Sequence, residues 1–167
     1  MSHLRTSTRY GLKGQMKCDL AGELLRSVGR LRLRVCGFSM LPTLRHGDIL
    51  EMEAAPATQI VPGDIVLYAR DGRLITHRVL SCHTEGKEQQ IITRGDASPA
   101  ADAPVSVEQF LGRVSQILRN GKSLVPRTRL TSAERMVAAL ICQAMSTVRF
   151  LAYLLPFPKN VRRQETL

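Results

Sequence analysis

Tight-turn signals in the middle of the chain most strongly limit the folds open to it. Asp71-Gly72 separates an apolar run at 65–68 from a second run at 74–80, and Asn120-Gly121 follows a further run at 112–118. Such dipeptides are typical of two-residue hairpin turns, in which both positions take positive φ. The sequence therefore predicts antiparallel hairpins in this part of the chain.

Other short runs extend the same pattern. Three more are predicted as strands: 31–35, Ile49–Glu53 and 90–93. The prolines of this region fall between the runs, where they do not interrupt strand pairing. We predict a mainly β domain over residues 31–125, made of short strands with long loops.

The segments on either side of this domain are different in character. Residues 1–30 form a basic segment with a short helix predicted at 19–28, and they contain no apolar run typical of a signal peptide or spanning helix. Residues 126–167 open with a capping-box pattern, Thr131-Ser132-Ala133-Glu134, which predicts an apolar helix from about 133 to 155 and then a basic tail.

The net charge of +10 is concentrated in the two flanks. Residues 1–34 carry +6 and residues 119–167 carry +7, whereas residues 35–118 carry −3. Basic flanks beside an apolar helix favour an anionic membrane surface as a partner. The alternative is that the flanks only keep the protein soluble. Few aromatics and no basic stripe on the domain itself argue against specific nucleic-acid binding. We expect the protein to be membrane-associated through its C-terminal helix, or cytoplasmic.

The four cysteines are scattered, with no CxxC pair, and the chain has no HExxH motif. This spacing predicts reduced thiols. No metal site and no cofactor are expected.

Four short segments carry the candidate chemistry. They are 37–44 (GFSMLPTL), 61–66 (VPGDIV), 75–79 (ITHRV) and 93–96 (TRGD), the last followed by Asp102. Their order and spacing resemble the type I signal peptidase and LexA-like peptidase superfamily, over about residues 33–118. The third segment normally reads Lys-Arg-Val. Here it is His77-Arg78-Val79, which is similar to the endoplasmic-reticulum and sporulation-type signal peptidases that use His as the base.

The chemistry also follows from the residue types. A serine hydroxyl needs a base to become a nucleophile, and a neutral imidazole can take its proton. Ser39 and His77 are therefore the candidate nucleophile and general base. A carboxylate would orient the ring and stabilise the imidazolium, and Asp96 and Asp102 are the candidates. The resemblance implies that Asp102 faces His77 and that Asp96 supports the site or only shapes a turn.

The resemblance further implies a LexA/signal-peptidase-like partly open β-barrel and a serine endopeptidase that removes a leader or signal segment from a precursor. The precursor would bind as an extended peptide segment against the strand leading to Ser39. Gly37, Phe38, Met40 and Pro42 are the expected substrate-binding residues, with core packing as the alternative for Phe38 and Met40. The Ser39 N–H is the expected oxyanion donor, and Gly37 stands where many bacterial members have a serine hydroxyl.

Two alternatives stay open. In the first, the chain is a catalytically idle peptide-binding module, and Gly37 favours this interpretation. In the second, it is a self-cleaving LexA-like module, for which Ala21-Gly22 is the candidate bond. Cys36 is close to Ser39 along the chain, but strand alternation predicts a buried and inert thiol.

Overall fold

The structure, a computed structural model, describes residues 3–85 and 88–154. Most of them belong to one sheet and two flanking helices, and a single 3₁₀ turn covers Ala57–Gln59. The elements are α1 (His3–Val28), β1 (Arg30–Arg34), β2 (Ile49–Glu53), β3 (Ile65–Arg70), β4 (Arg73–Glu85), β5 (Glu88–Arg94), β6 (Phe110–Arg119), β7 (Lys122–Leu124) and α2 (Ser132–Leu154).

The seven strands form one open antiparallel sheet in the order β1-β2-β6-β3-β4-β5, and β7 pairs with the end of β6. This confirms the predicted fold class, mainly β with a C-terminal helix. Among the described residues, β1 pairs only with β2, and β4 is paired with β5 only from Arg78 onward. Free strand edges therefore lie along β1 and along residues 73–77, among others.

Both predicted hairpin turns are confirmed. Asp71 and Gly72 have φ values of 52° and 67°, and Asn120 and Gly121 have values of 49° and 75°. These positive angles are those that a two-residue hairpin turn requires. The second turn leads into β7, a short strand that the sequence pattern did not predict.

The sheet carries an apolar core on each face. Leu50, Met52 and Leu67 belong to one cluster, which Leu25 of α1 joins from outside the sheet. The other cluster contains Tyr68 and Val79, and it lies on the face that carries the side chain of His77. Strand alternation separates the two sets, because neighbouring residues of β3 point to opposite faces.

Helix α1 begins well before the predicted residue 19. Cys18, Ala21 and Leu25 recur at helical spacing and are buried against the sheet. Nearer its start, a Cβ on Gly14 would lie only 2.3 Å from the carbonyl oxygen of Gly72. The glycine therefore allows the helix to pack directly on the β3–β4 turn.

The capping box of α2 is confirmed. The Glu134 carboxylate accepts a 2.8 Å hydrogen bond from the Thr131 N–H, and the Glu134 N–H donates to the Thr131 hydroxyl at 3.2 Å. Residue 155 and the basic tail lie outside the described residues. Within the described part of the chain, no helix is long and apolar enough to cross a membrane. Several large apolar side chains of α2 are exposed, namely Met136, Val137, Leu140, Met145 and Val148.

Candidate active site

Ser39 lies in a turn that follows β1. The turn is closed by hydrogen bonds from the Leu41 N–H to the Phe38 carbonyl, at 3.1 Å, and from the Leu44 N–H to the Met40 carbonyl, at 2.9 Å. Across the site, the Ala97 N–H donates to the Ser39 carbonyl at 2.8 Å. These bonds fix the backbone on both sides of the serine, and they leave its side chain half-buried and directed at β4.

A glycine makes room for this turn. A Cβ on Gly95 would lie 2.6 Å from the Ser39 carbonyl oxygen and 3.0 Å from the Ser39 Cβ. Such approaches are too close for any side chain at this position. Gly95 thus allows the loop after β5 to pack directly against the serine turn. This close contact explains why the fourth sequence segment has a glycine before Asp96.

His77 stands on β4 with its imidazole largely buried. Its Nε2 atom lies 2.9 Å from the Ser39 Oγ, and its Nδ1 atom lies 2.6 Å from the Asp102 Oδ2. A ring protonated at Nδ1 donates to the carboxylate and leaves Nε2 to accept the serine proton. The three side chains therefore form a hydroxyl–imidazole–carboxylate relay in which each member is within hydrogen-bonding distance of the next.

Asp102 is itself held by a second hydroxyl. Thr93, which is completely buried, donates from Oγ1 to the Asp102 Oδ2 at 2.7 Å. The Asp102 N–H donates back to the Thr93 carbonyl at 2.8 Å. The carboxylate consequently has a fixed position before it meets the imidazole.

Tyr68 packs beside the same group. Its ring meets the His77 ring edge to face, with the centroids 6.3 Å apart. Burial raises the pKa of the phenol to about 12; the negative charge of Asp102 acts in the same direction, and a hydrogen bond with Thr93 acts against it. The phenol stays protonated over the physiological range, so Tyr68 presents a neutral wall to the imidazole.

Asp96, the second carboxylate candidate, has a different partner. Both of its oxygens accept from the Arg78 guanidinium, at 2.8 and 2.9 Å, and Oδ2 also accepts from the Thr43 hydroxyl. Its side chain is almost fully buried in this ion pair. The structure thus brings Asp102 to His77 and uses Asp96 to join the serine turn to β4.

Arg78 completes a wider set of contacts. Its Nη1 donates to the Gly63 carbonyl at 3.0 Å and to the Arg127 carbonyl at 2.6 Å. One guanidinium therefore connects the residue after His77 with the loop before β3 and with the segment that leads to α2. Such a fork of donors is peculiar to arginine and would not survive replacement by lysine.

A cleft of about 500 Å³ leads to the relay. It lies between the end of β1 and the start of β4, beside the free edges of these two strands. Gly37 and Met40, two of the expected substrate-binding residues, are among its lining residues. Nothing lies within 4 Å of a Cβ built on Gly37, so this side of the cleft is open.

Phe38 and Pro42, the other two expected substrate-binding residues, are not among the residues that line this cleft. The Phe38 ring turns outward, 54% exposed, and stacks on His46 with the centroids 5.9 Å apart. Pro42 lies on the far part of the turn, next to Thr43, whose hydroxyl reaches Asp96. The predicted burial of Cys36 is also wrong, because β1 ends at Arg34 and strand alternation does not extend to this exposed residue.

The sequence reasoning gave no role to Thr93, Tyr68 and Arg78. Two of them, Thr93 and Arg78, are polar residues buried within strands. A polar residue within a predicted strand is the sequence signal that could have identified them, because a buried polar group requires hydrogen-bond partners. Those partners lie in loops whose path the sequence does not give, namely Asp102 for Thr93 and the Gly63 and Arg127 carbonyls for Arg78.

The described residues include no group of three or more His, Cys, Asp or Glu side chains that could hold a metal ion. The chemistry that the site can perform is nucleophilic attack assisted by general acid–base catalysis, and the chain's own side chains supply it.

No protein-family model matches the chain. The curated proteins that it resembles are named signal peptidase complex catalytic subunit SEC11. Those of Candida dubliniensis and Candida albicans are 34% identical over 92 residues, which make up 53% of this chain and 55% of each relative. That of Scheffersomyces stipitis is 31% identical over 93 residues, with the same coverage. The chain spans about half the length of the curated relatives it matches, and the similarity supports a relationship with the signal peptidase I-like superfamily.

Proposed function

We propose that this chain is a serine endopeptidase of the signal peptidase I-like superfamily, in the subgroup that uses histidine as the base. The observation that carries the proposal is the relay in which the Ser39 hydroxyl, the His77 imidazole and the Asp102 carboxylate lie 2.9 and 2.6 Å apart in series. The names of the curated relatives agree with a peptidase of this kind.

In the first half of the reaction, the Ser39 oxygen attacks the peptide carbonyl carbon while its proton passes to Nε2 of His77. The resulting imidazolium is stabilised by Asp102 across the Nδ1–H bond. When the tetrahedral intermediate collapses, the proton moves from Nε2 to the leaving amine and the C–N bond breaks. A water molecule then repeats the sequence on the acyl-enzyme and releases Ser39.

The Ser39 N–H is the proposed oxyanion donor. Within the described part of the chain, this N–H donates to no protein acceptor, so it is available to a developing negative oxygen. Gly37 contributes no side-chain hydroxyl to the same task. A water molecule bound in the open space beside Gly37 would supply the second donor.

The proposed substrate is an extended segment of a precursor protein. The free edges of β1 and of residues 73–77 flank the cleft, and a peptide strand between them would pair its backbone with the sheet. A leader or signal segment matches this requirement, because the bond to be cut must be exposed and unfolded. The cleft is lined mainly by apolar side chains such as Leu33, Leu50 and Leu67, which favour apolar substrate residues.

We further propose that α2 rests on an anionic membrane surface. Its exposed apolar side chains, among them Met136, Leu140 and Val148, would enter the interface, and the +7 charge of residues 119–167 would meet anionic headgroups. Flotation with vesicles tests this. Leu140→Glu should abolish binding to vesicles rich in anionic lipid. Arg94→Glu should reduce it little, because Arg94 is an exposed residue of β5 that lies outside both basic flanks. Equal binding to neutral vesicles would count against the charge argument.

A fluorophosphonate probe, which labels activated serines, tests the peptidase. Wild-type protein should be labelled, and Ser39→Ala and His77→Ala should not. His46→Ala is the matched control, because His46 is near the serine turn but contacts Phe38 and the Cys36 carbonyl instead of Ser39. Equally weak labelling of wild type and His77→Ala would favour the idle peptide-binding module.

Self-cleavage at Ala21-Gly22 has little support. Both residues are buried within α1, and the helix would have to unwind before this bond could enter the cleft as a strand. The intact mass of the purified protein, followed over hours, tests this alternative. A fragment beginning at Gly22 would restore it.

A further inference from the structure

We propose that Arg34 and Arg73 form a subsite for an acidic side chain of the bound peptide, about four residues from the bond that Ser39 attacks. This inference rests on the proposed function and adds a substrate preference to it. The subsite would make the enzyme selective among extended segments that are otherwise alike.

The first argument is the charge of the cleft. Arg34 and Arg73 both line it, and apart from His77 they are the only titratable cationic side chains among its described lining residues. No carboxylate lines this cleft in the part of the chain that the structure describes. A cleft with two cations and low-dielectric walls has a positive potential that attracts a negative group.

The second argument is the position of the two residues along the strands. Arg73 is the first residue of β4, four residues before His77, and Arg34 is the last residue of β1, five residues before Ser39. A strand rises by about 3.3 Å per residue, so the arginine on β4 lies roughly 13 Å from the catalytic imidazole. An extended peptide rises at the same rate, and its fourth residue from the reacting bond would therefore lie beside the arginines.

The third argument is that both guanidiniums are available. Arg34 and Arg73 are exposed, and neither forms an ion pair within residues 3–85 and 88–154. Arg32, two positions away on the same side of β1, is by contrast paired with Glu51. The two arginines at the cleft are thus free to pair with a ligand carboxylate, and a peptide that covers them would exclude water and strengthen that pair.

Fluorescent peptides of about twelve residues test the proposal. The series keeps small residues at the central bond and moves one Glu, Gln or Lys through the positions three to six residues away on either side. Cleavage is measured with the wild-type full chain. Binding is measured by anisotropy with Ser39→Ala, so that charge preference is read even without catalysis.

We expect Glu at one position, about four residues from the bond, to improve kcat/KM and affinity over Gln by about three- to tenfold, with Lys worse than Gln. Arg73→Glu, and Arg34→Glu to a similar extent, should reverse this order so that Lys is preferred. Lys122→Glu is the matched control, because it makes the same change of charge on β7 outside the cleft and should leave the order unchanged.

The possible results distinguish failure of the arginine subsite from failure of the proposed peptidase activity. Cleavage without a charge preference, or a preference that Arg73→Glu and Arg34→Glu leave intact, would overturn the subsite and keep the peptidase. Preferential binding of the Glu peptide to Ser39→Ala, with no cleavage by wild type, would keep the subsite and overturn the peptidase. If no peptide is bound or cleaved, both proposals fail.

Discussion

Thr93 and Asp102 hold each other in a reciprocal pair of hydrogen bonds. The Thr93 hydroxyl donates to the Asp102 carboxylate at 2.7 Å, and the Asp102 N–H donates to the Thr93 carbonyl at 2.8 Å. Thr93 is the penultimate residue of β5, the last strand of the sheet, and it is completely buried. The carboxylate behind the imidazole is therefore attached to a rigid element rather than to its own loop alone.

Thr93→Val should slow the reaction without loosening the fold. The substitution keeps the shape and removes the hydroxyl, so Asp102 loses one of the two donors on Oδ2 and the imidazole loses a fixed partner. We expect the fluorophosphonate labelling rate, or kcat, to fall about tenfold with little change in KM. Thr93→Ser, which restores the hydroxyl, should recover most of the rate, and equal rates for the two variants would contradict the role.

Asp102→Asn should have a larger effect. The amide keeps the size of the side chain but cannot stabilise an imidazolium and would favour the wrong tautomer of the ring. In a serine relay this change lowers kcat by about 10⁴, so we expect a loss of at least about 10² here. The same labelling assay measures it, with circular dichroism to check the fold. Activity within a few fold of wild type would show that Asp102 is not part of the relay.

Asp96→Asn should act on stability instead. Arg78 and Asp96 form a buried pair, with side-chain exposures of 9% and 3%. Removing one partner leaves a buried charge uncompensated, which costs about 3–5 kcal/mol. Urea unfolding measures this free energy. Glu23→Gln is the control, because its exposed pair with Arg26 contributes at most about 1 kcal/mol, and comparable losses in the two variants would refute the structural role of Asp96.

The titration of Tyr68 should be visible at high pH. Because burial raises its pKa to about 12 from an ordinary value of 10.0, the folded state holds this proton while an unfolded chain releases it. The neutral phenol therefore contributes stability below about pH 10, and this contribution is lost as the pH rises towards 12. Absorbance at about 295 nm should show a late tyrosine transition, and Tyr68→Phe should remove it. A late transition that persists in Tyr68→Phe would belong to another tyrosine.

Gly37→Ser should increase the reaction rate. A Cβ at this position has no neighbour within 4 Å, so a serine side chain fits without displacing anything. Its hydroxyl would stand beside the proposed oxyanion position, where a single donor is worth a factor of order 10²–10³ in other enzymes. We expect a gain of about tenfold in labelling rate. Gly37→Ala fills the same space without a donor and should give no gain; an equal gain in both variants would point to backbone stiffening instead.

Local signals predicted most of the sheet. The turn dipeptides fixed the β3–β4 and β6–β7 hairpins, because positive φ at two successive residues leaves the chain few alternatives. Helix α1 was underestimated, since Gly14 weakens the local helical pattern and is explained only by its contact with Gly72. That contact joins residues distant in the sequence, so the hydrophobic periodicity of the helix does not indicate it.

The site was predictable to a different degree. The order of the four segments singled out Ser39 and His77, which the structure brings within hydrogen-bonding distance. The choice between Asp96 and Asp102 depended on the path of the loop after β5, and hence on which buried partner each carboxylate finds. The outward turn of Phe38 had the same origin, because the ring's place is set by His46 from across the turn.

The bond between Arg78 and the Arg127 carbonyl has a mechanical consequence. It pins the backbone that leaves the sheet for α2 to the residue that directly follows His77 on β4. A force applied to α2 would be transmitted to β4 through the Arg78 side chain, because Arg127 lies only a few residues before the helix. The guanidinium thus links the segment before α2 directly to the strand that carries His77.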